Sequence, residues 1–283
     1  MSDLFSIRQG SLQLRLFRPG TFYRGTRFDW AGVFDAVEFR GADLAGRWFE
    51  RYDPTMHDAV CGPAEEFTPV GYGEGETFLK VGVGRLRADA FPYDRFKLYP
   101  VEAAGRRWEE VRSDAVLFHH EMPEYNYVKE IGLRSDQDFF IRHHLEASTL
   151  LEGRMYNHNF FTFGRFQVDP DRLLDFPYTP EGDWRSEYDC VGLSGSGIRF
   201  SRPVAPGESV FMGNLHAAGA EASPYLLTLS DRLAGRTIRI RGDQPLTHTV
   251  FWANHRVACA EPYVDFRASA GEDFDLTIEY HLS

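Results

Sequence analysis

Along most of the chain apolar and polar residues alternate with a period of two, the pattern of strands that turn one face to a core. Leu12, Leu14 and Leu16 alternate with Gln13 and Arg15 in a hairpin-like start over residues 4–18, closed by Pro19-Gly20. Phe96–Tyr99, Ala115–Glu121, Tyr125–Ile131 and Phe139–Glu146 then follow at the short spacing of an antiparallel meander. Thr237–Arg241, Thr247–Trp252 and the closing run to Tyr280 continue the alternation. Helical periodicity has one candidate, Ala103–Arg112, read as a single helix or a turn. Loops are expected around Met56–Phe67 and Asp175–Trp184, and a turn at Gly192–Gly197. The fold class is therefore mainly β.

Composition narrows this picture. The chain has 283 residues, a length that β-sandwiches fill as one unit, so a single domain over 1–283 is expected. Aromatic residues reach 15%, which suits strands and leaves rings to line a cleft. A net charge of −11 without a Lys/Arg cluster argues against nucleic acid as a partner. No apolar run approaches the roughly 18 residues of a membrane span, and the start lacks a secretory pattern, so a cytoplasmic location is expected. Cys61, Cys190 and Cys259 are widely spaced and fit reduced, isolated thiols.

Candidate chemistry centres on Tyr156-Asn157-His158-Asn159-Phe160-Phe161. In a strand, Tyr156, His158 and Phe160 share one face and Asn157, Asn159 and Phe161 the other, so the imidazole sits between two aromatic rings. Such a site can grip a ring-shaped ligand and move a proton near neutral pH. A lone strand histidine is more often a hydrogen-bonded structural residue. What tips the balance is Glu261, which follows Val257-Ala258-Cys259-Ala260 and is expected at the end of an apolar strand, where desolvation makes an idle carboxylate costly. Arg27, among the rings of Phe22, Tyr23, Phe28 and Trp30, offers a planar fork for two oxygens, and His57 lies in a loop rich in ionisable groups.

Other motifs carry less. Gly82 and Gly84 lack the following helix of a dinucleotide loop, and Gly192–Gly197 does not fit a serine nucleophile elbow. The pairs His119-His120 and His143-His144 raise a metal site in which one His of each pair meets across a sheet beside Glu146, but three convergent ligands are needed and cross-strand rim pairs are the simpler reading. No metal or organic cofactor is expected.

Four features together resemble the aldose 1-epimerase, or galactose mutarotase-like, family. They are Gly25-Thr26-Arg27 as an early Arg-bearing strand, Asn157 to Phe161, Glu261 on a late strand, and Gly271-Glu272 leading to Thr277 and Tyr280. The resemblance implies a large antiparallel β-sandwich, or supersandwich, with a concave sugar cleft and a small-molecule carbohydrate as partner. It also implies His158 as general acid, Glu261 as general base, and Arg27, His57, Asn157 and Tyr156 around the sugar. His57-Asp58-Ala59 departs from the family's His-Gly-Gly, and Pro262-Tyr263-Val264-Asp265 from its Pro-Asp-Ala, so galactose does not carry over as the substrate. The alternatives are a non-catalytic carbohydrate-binding or regulatory protein on the same fold, and a sugar-phosphate 1-epimerase, which would need arginines such as Arg24 or Arg85 in the cleft. Exposed strand edges could pair into an oligomer.

Overall fold

In the computed structural model, which describes residues 3–73, 76–185 and 189–283, the alternating segments form strands, and no helix is present among the described residues. All strand pairs are antiparallel. A ten-stranded sheet runs from the edge strand Val191–Ser194 to the edge strand Arg106–Val111, with Asp138–Ala147 against Asp273–Leu282 near its centre. A six-stranded sheet has the order Pro180–Trp184, Ser209–Ala217, His248–Asn254, Ala258–Ala268, Leu151–Phe161, Gly62–Phe67. A four-stranded sheet holds the N-terminal hairpin, Leu4–Gln9 with Leu12–Phe17, and a three-stranded one begins at Thr77–Lys80. The two large sheets share one core as an antiparallel β-sandwich.

The period-two pattern produces the core directly. In Asp138–Ala147 the buried positions are Phe139, Ile141, His143, Leu145 and Ala147, and they meet alternate residues of neighbouring strands, including Ile278, Tyr280 and Leu282. One apolar cluster gathers such residues with Phe251, Val264 and Phe266 of the six-stranded sheet and with Leu12, Leu14 and Leu16 of the hairpin. Each buried Leu, Ile or Phe contributes roughly 1.5–3 kcal/mol relative to exposure, so the inward face fixes the register of both sheets. No helix among the described residues is long and apolar enough to cross a membrane.

Several local expectations are corrected. Ala103–Arg112 is not helical: it divides into the strands Val101–Ala103 and Arg106–Val111 around Gly105, whose φ of 67° supplies the turn. Phe96–Tyr99 and Gly25–Arg27 lie in loops rather than strands. Conversely, Gly62–Phe67 and Pro180–Trp184, expected as loop, are strands, and all six residues of the former are buried. Glu261 is the fourth residue of Ala258–Ala268, inside the strand rather than at its end. The histidine pairs do not converge: in the ladder His119 and His144 both stand opposite Val128, on either side of its strand. His120 meets the Ala104 carbonyl at 3.0 Å, and His143 meets the Tyr127 hydroxyl at 2.8 Å.

Candidate functional site

Four neighbouring strands of the six-stranded sheet floor a cavity of about 320 Å³. The floor residues are Ser209 and Phe211, then Trp252, then Glu261, then His158 and Phe160. Register brings the imidazole and the carboxyl together: Tyr156 pairs with Tyr263 and Asn159 with Ala260, which sets His158 opposite Glu261. Loops supply the walls, with Arg27, Trp48, His57, Asp58, Arg95 and Phe96.

His158 is 2% exposed, and its Nδ1 lies 3.3 Å from Glu261 Oε1 and 3.8 Å from Cys259 Sγ. Its Nε2 lies 3.1 Å from Arg27 Nη2. A guanidinium only donates, so Nε2 accepts and the imidazole proton sits on Nδ1, facing Glu261 and Cys259. Phe28 meets the ring edge-on at 4.8 Å and Phe160 stacks on it at 5.2 Å. Burial, reinforced by the nearby Arg27 and Arg95 charges, holds the imidazole well below its ordinary pKa. Burial also pushes Glu261 up to about 8, with Arg27 and Arg95 opposing the shift and Glu66 adding to it.

Behind Arg27 stands Glu66, the residue that orients it. Arg27 Nε donates to Glu66 Oε2 at 2.7 Å, the Tyr156 hydroxyl donates to the same oxygen, and Lys80 Nζ reaches Oε1 at 3.4 Å. Burial alone would raise the Glu66 carboxyl, but Lys80, Arg27 and Arg95 outweigh it and hold it below its ordinary value. Lys80, fully buried, is itself lowered to about 8 by desolvation.

Arg27, His57, His158 and Glu261 thus share one cavity. Tyr156 is on the same face, stacked on Tyr263 at 4.1 Å, but its hydroxyl is taken by Glu66 and it does not line the cavity. Asn157 points the other way, into the space between the sheets, where it donates to Glu65 Oε1 at 2.8 Å and accepts from the Tyr280 hydroxyl at 2.9 Å. The alternation of the strand makes direct contact between Asn157 and a cavity ligand incompatible with its position. His57 packs edge-on against Phe96 at 4.9 Å, with Nε2 3.6 Å from Asp58 Oδ2. Asp58 Oδ1 has no hydrogen-bond partner among the described residues.

Sequence reasoning missed Glu66, Asp58, Arg95 and the indole rings of Trp48 in the wall and Trp252 on the floor. The signal for Glu66 was the adjacent pair Glu65-Glu66 between Ala64 and Phe67, an arrangement a strand can hold only by giving each carboxylate its own partners on its own face. Arg24 donates to the Gly20 carbonyl and Arg85 to Glu124, and neither lines the cavity. Among the described residues, His158, Cys259 and Glu261 bring three ligand-type atoms within 4.8 Å of one another.

No family model and no curated protein sequence matches the chain. Solved structures do match over nearly the whole length. A GalM/aldose epimerase homologue from C. elegans is 13% identical with a TM-score of 0.60, covering 100% of this chain and 99% of its own. A galactose mutarotase-like protein from Lactobacillus casei is 12% identical, TM-score 0.56, covering 99% and 100%. The Slr1438 protein from Synechocystis is also 12% identical, TM-score 0.61, covering 99% and 95%. At these identities the likeness establishes the fold.

Proposed function

We propose that the protein is an aldose 1-epimerase-like isomerase that interconverts sugar anomers by acid–base ring opening and closure. The observation that carries this reading is the pair His158 and Glu261, 3.3 Å apart on the floor of a cavity walled by rings and arginine. Aromatic walls pack on the apolar faces of a pyranose, while Arg27 and the unpartnered oxygen of Asp58 suit its hydroxyls.

The proton balance is simple. At rest the neutral imidazole and the protonated carboxyl hold one transferable proton between them. Because Nδ1 already carries a proton, this one has to reach Nε2 as Arg27 leaves it, which gives imidazolium and carboxylate. Glu261 then takes the proton of the anomeric hydroxyl, the C1–O5 bond breaks as the C1 carbonyl forms, and His158 protonates the ring oxygen. The C1–C2 bond rotates. Closure reverses each transfer, with His158 now the base and Glu261 the acid. For His158 Nε2 to reach the ring oxygen, Arg27 must exchange its imidazole contact for a sugar oxygen, a tightening typical of sites that fill.

The test is anomer-exchange NMR on a panel of free sugars. Glu261→Gln and His158→Ala are each expected to lower exchange by about 10²- to 10⁴-fold, the usual contribution of one proton transfer, with the far-UV signal of the fold unchanged. Full activity in either folded variant would refute the assignment.

A further inference from the structure

Arg95 is the cation in this cavity that its surroundings leave least satisfied. Arg27 and Lys80 share the Glu66 carboxylate, whereas Arg95 has no carboxylate within ion-pair distance among the described residues. What holds it is a 3.4 Å bond from Nη1 to the Tyr263 hydroxyl and the face of Tyr156, 5.4 Å from its guanidinium carbon. The residue is half-buried and lines the cavity. A half-desolvated guanidinium with one long neutral contact lacks the bidentate oxygen partner its geometry favours.

Its position relative to the reacting pair is set by the sheet. Tyr156 and Tyr263 lie two residues from His158 and Glu261 along the same two strands and on the same face. Two residues of strand span about 7 Å, room for a group on C5, the neighbour of the ring oxygen that His158 would protonate, and its hydrogen bond to a guanidinium. Phe96, next in sequence, covers the same mouth, with the Arg27 guanidinium 5.6 Å from its ring. A neutral hydroxymethyl group there would leave Arg95 with a single dipole. A carboxylate would fill both arms of the fork.

Building on the mutarotase reading, we propose that the substrate is an aldose carrying an anionic group, a hexuronic acid, with its carboxylate on Arg95. One unpaired guanidinium matches the charge and two oxygens of a carboxylate better than a phosphate monoester, which carries nearly two charges at neutral pH.

The experiment has two arms. Anomer exchange is compared for glucuronate and galacturonate, glucose and galactose, and glucose 6-phosphate, with the intact protein, Arg95→Gln and Arg95→Lys. The uronates are expected to show the highest kcat/KM, and Arg95→Gln to lower it for uronates at least about tenfold more than for neutral hexoses, the scale of a lost charged hydrogen bond. Arg95→Lys, which keeps the charge and loses the fork, should fall between. Equal loss for both sugar classes, or a preference for neutral hexoses, would overturn the proposal; a preference for glucose 6-phosphate would overturn the carboxylate assignment. In the second arm, calorimetry compares methyl glucuronide with methyl glucoside, whose rings cannot open. Tighter binding of the glucuronide, lost in Arg95→Gln, would uphold the anion site even if no sugar's exchange is accelerated, a result that would refute the mutarotase reading alone. Equal binding of the two glycosides would overturn the anion site.

Discussion

Arg27 decides the chemistry of His158. By donating to Nε2 it fixes the imidazole proton on Nδ1, and by its charge it helps keep the ring neutral. The pair with Glu261 therefore holds one movable proton from well below pH 6.5 up to about 8, the value to which burial lifts the carboxyl. Above that the carboxyl ionises while the imidazole stays neutral, and no acid remains for the ring oxygen. Exchange should accordingly fall as pH rises through about 8, in kcat/KM profiles of the free enzyme; a profile that keeps rising there would show that Glu261 works only as a base. Glu66 is the positioning residue behind Arg27. In Glu66→Gln the partner shared by Arg27 and Lys80 loses its charge, so both kcat and stability are expected to drop, and the high-pH limb should move because Glu66 also raises Glu261. An unchanged pH profile would exclude that coupling. His158 and Glu261 stood out as candidates because a histidine and an acid in β-favouring, aromatic or apolar runs conflict with plain core packing. Arg95 did not, since one arginine in a loop segment looks like any solvated charge until the loop's path is known.

At the scale of the strand, the adjacent residues of Gly62–Phe67 divide the labour. Glu66 faces the cavity side with Arg27 and Tyr156, and Glu65 faces the space between the sheets. There Lys129 Nζ bonds Glu65 and the Ala31 carbonyl and lies 3.7 Å from Asp29 Oδ2. Tyr127 donates to Asp29 at 3.1 Å, and Tyr280 bonds Asn157 and Asn159 from the ten-stranded sheet. The polar face of His158's own strand is thus braced by the opposite sheet. Removing the shared cation leaves two buried carboxylates without a counter-charge, so Lys129→Met should cost about 3–5 kcal/mol. Urea unfolding monitored by tryptophan fluorescence checks this, and a loss below about 1 kcal/mol would mean the network is not held by charge. This strand misled the sequence reading because its partners are supplied from residues far away in sequence, so a dense run of charge looked like a solvated loop. Arg106–Val111, read within a helix-or-turn candidate, is an exposed edge strand, and its charges discourage edge-to-edge pairing.

For the whole molecule, the division between floor and walls sets where motion can occur. The period-two pattern made the strands legible because each buries a face in one shared core, from Leu12 near one end to Leu282 at the other. The walls, with Arg27, Trp48, His57, Asp58, Arg95 and Phe96, come from segments between strands, and no periodicity announces a loop's path. The floor's backbone groups are tied into ladders: Leu151–Phe161 is paired on both sides, by Ala258–Ala268 and by Gly62–Phe67. The wall carrying Arg95 has fewer such ties, with Lys97 N to the Asp94 carbonyl and Asp94 N to the Tyr99 hydroxyl, and Phe96 stands 63% exposed above it. Local opening costs less free energy where the backbone has fewer buried bonds. Amide hydrogen exchange should therefore find residues 152–161 and 258–266 protected to the level of global unfolding, and residues 92–98 exchanging orders of magnitude faster. A sugar that bridges His158 and Arg95 must draw the wall onto the floor, so saturating ligand should slow exchange in 92–98 and leave the floor unchanged. Protection confined to the floor would mean that the ligand sits without touching the wall, and Arg95 would then read no part of it.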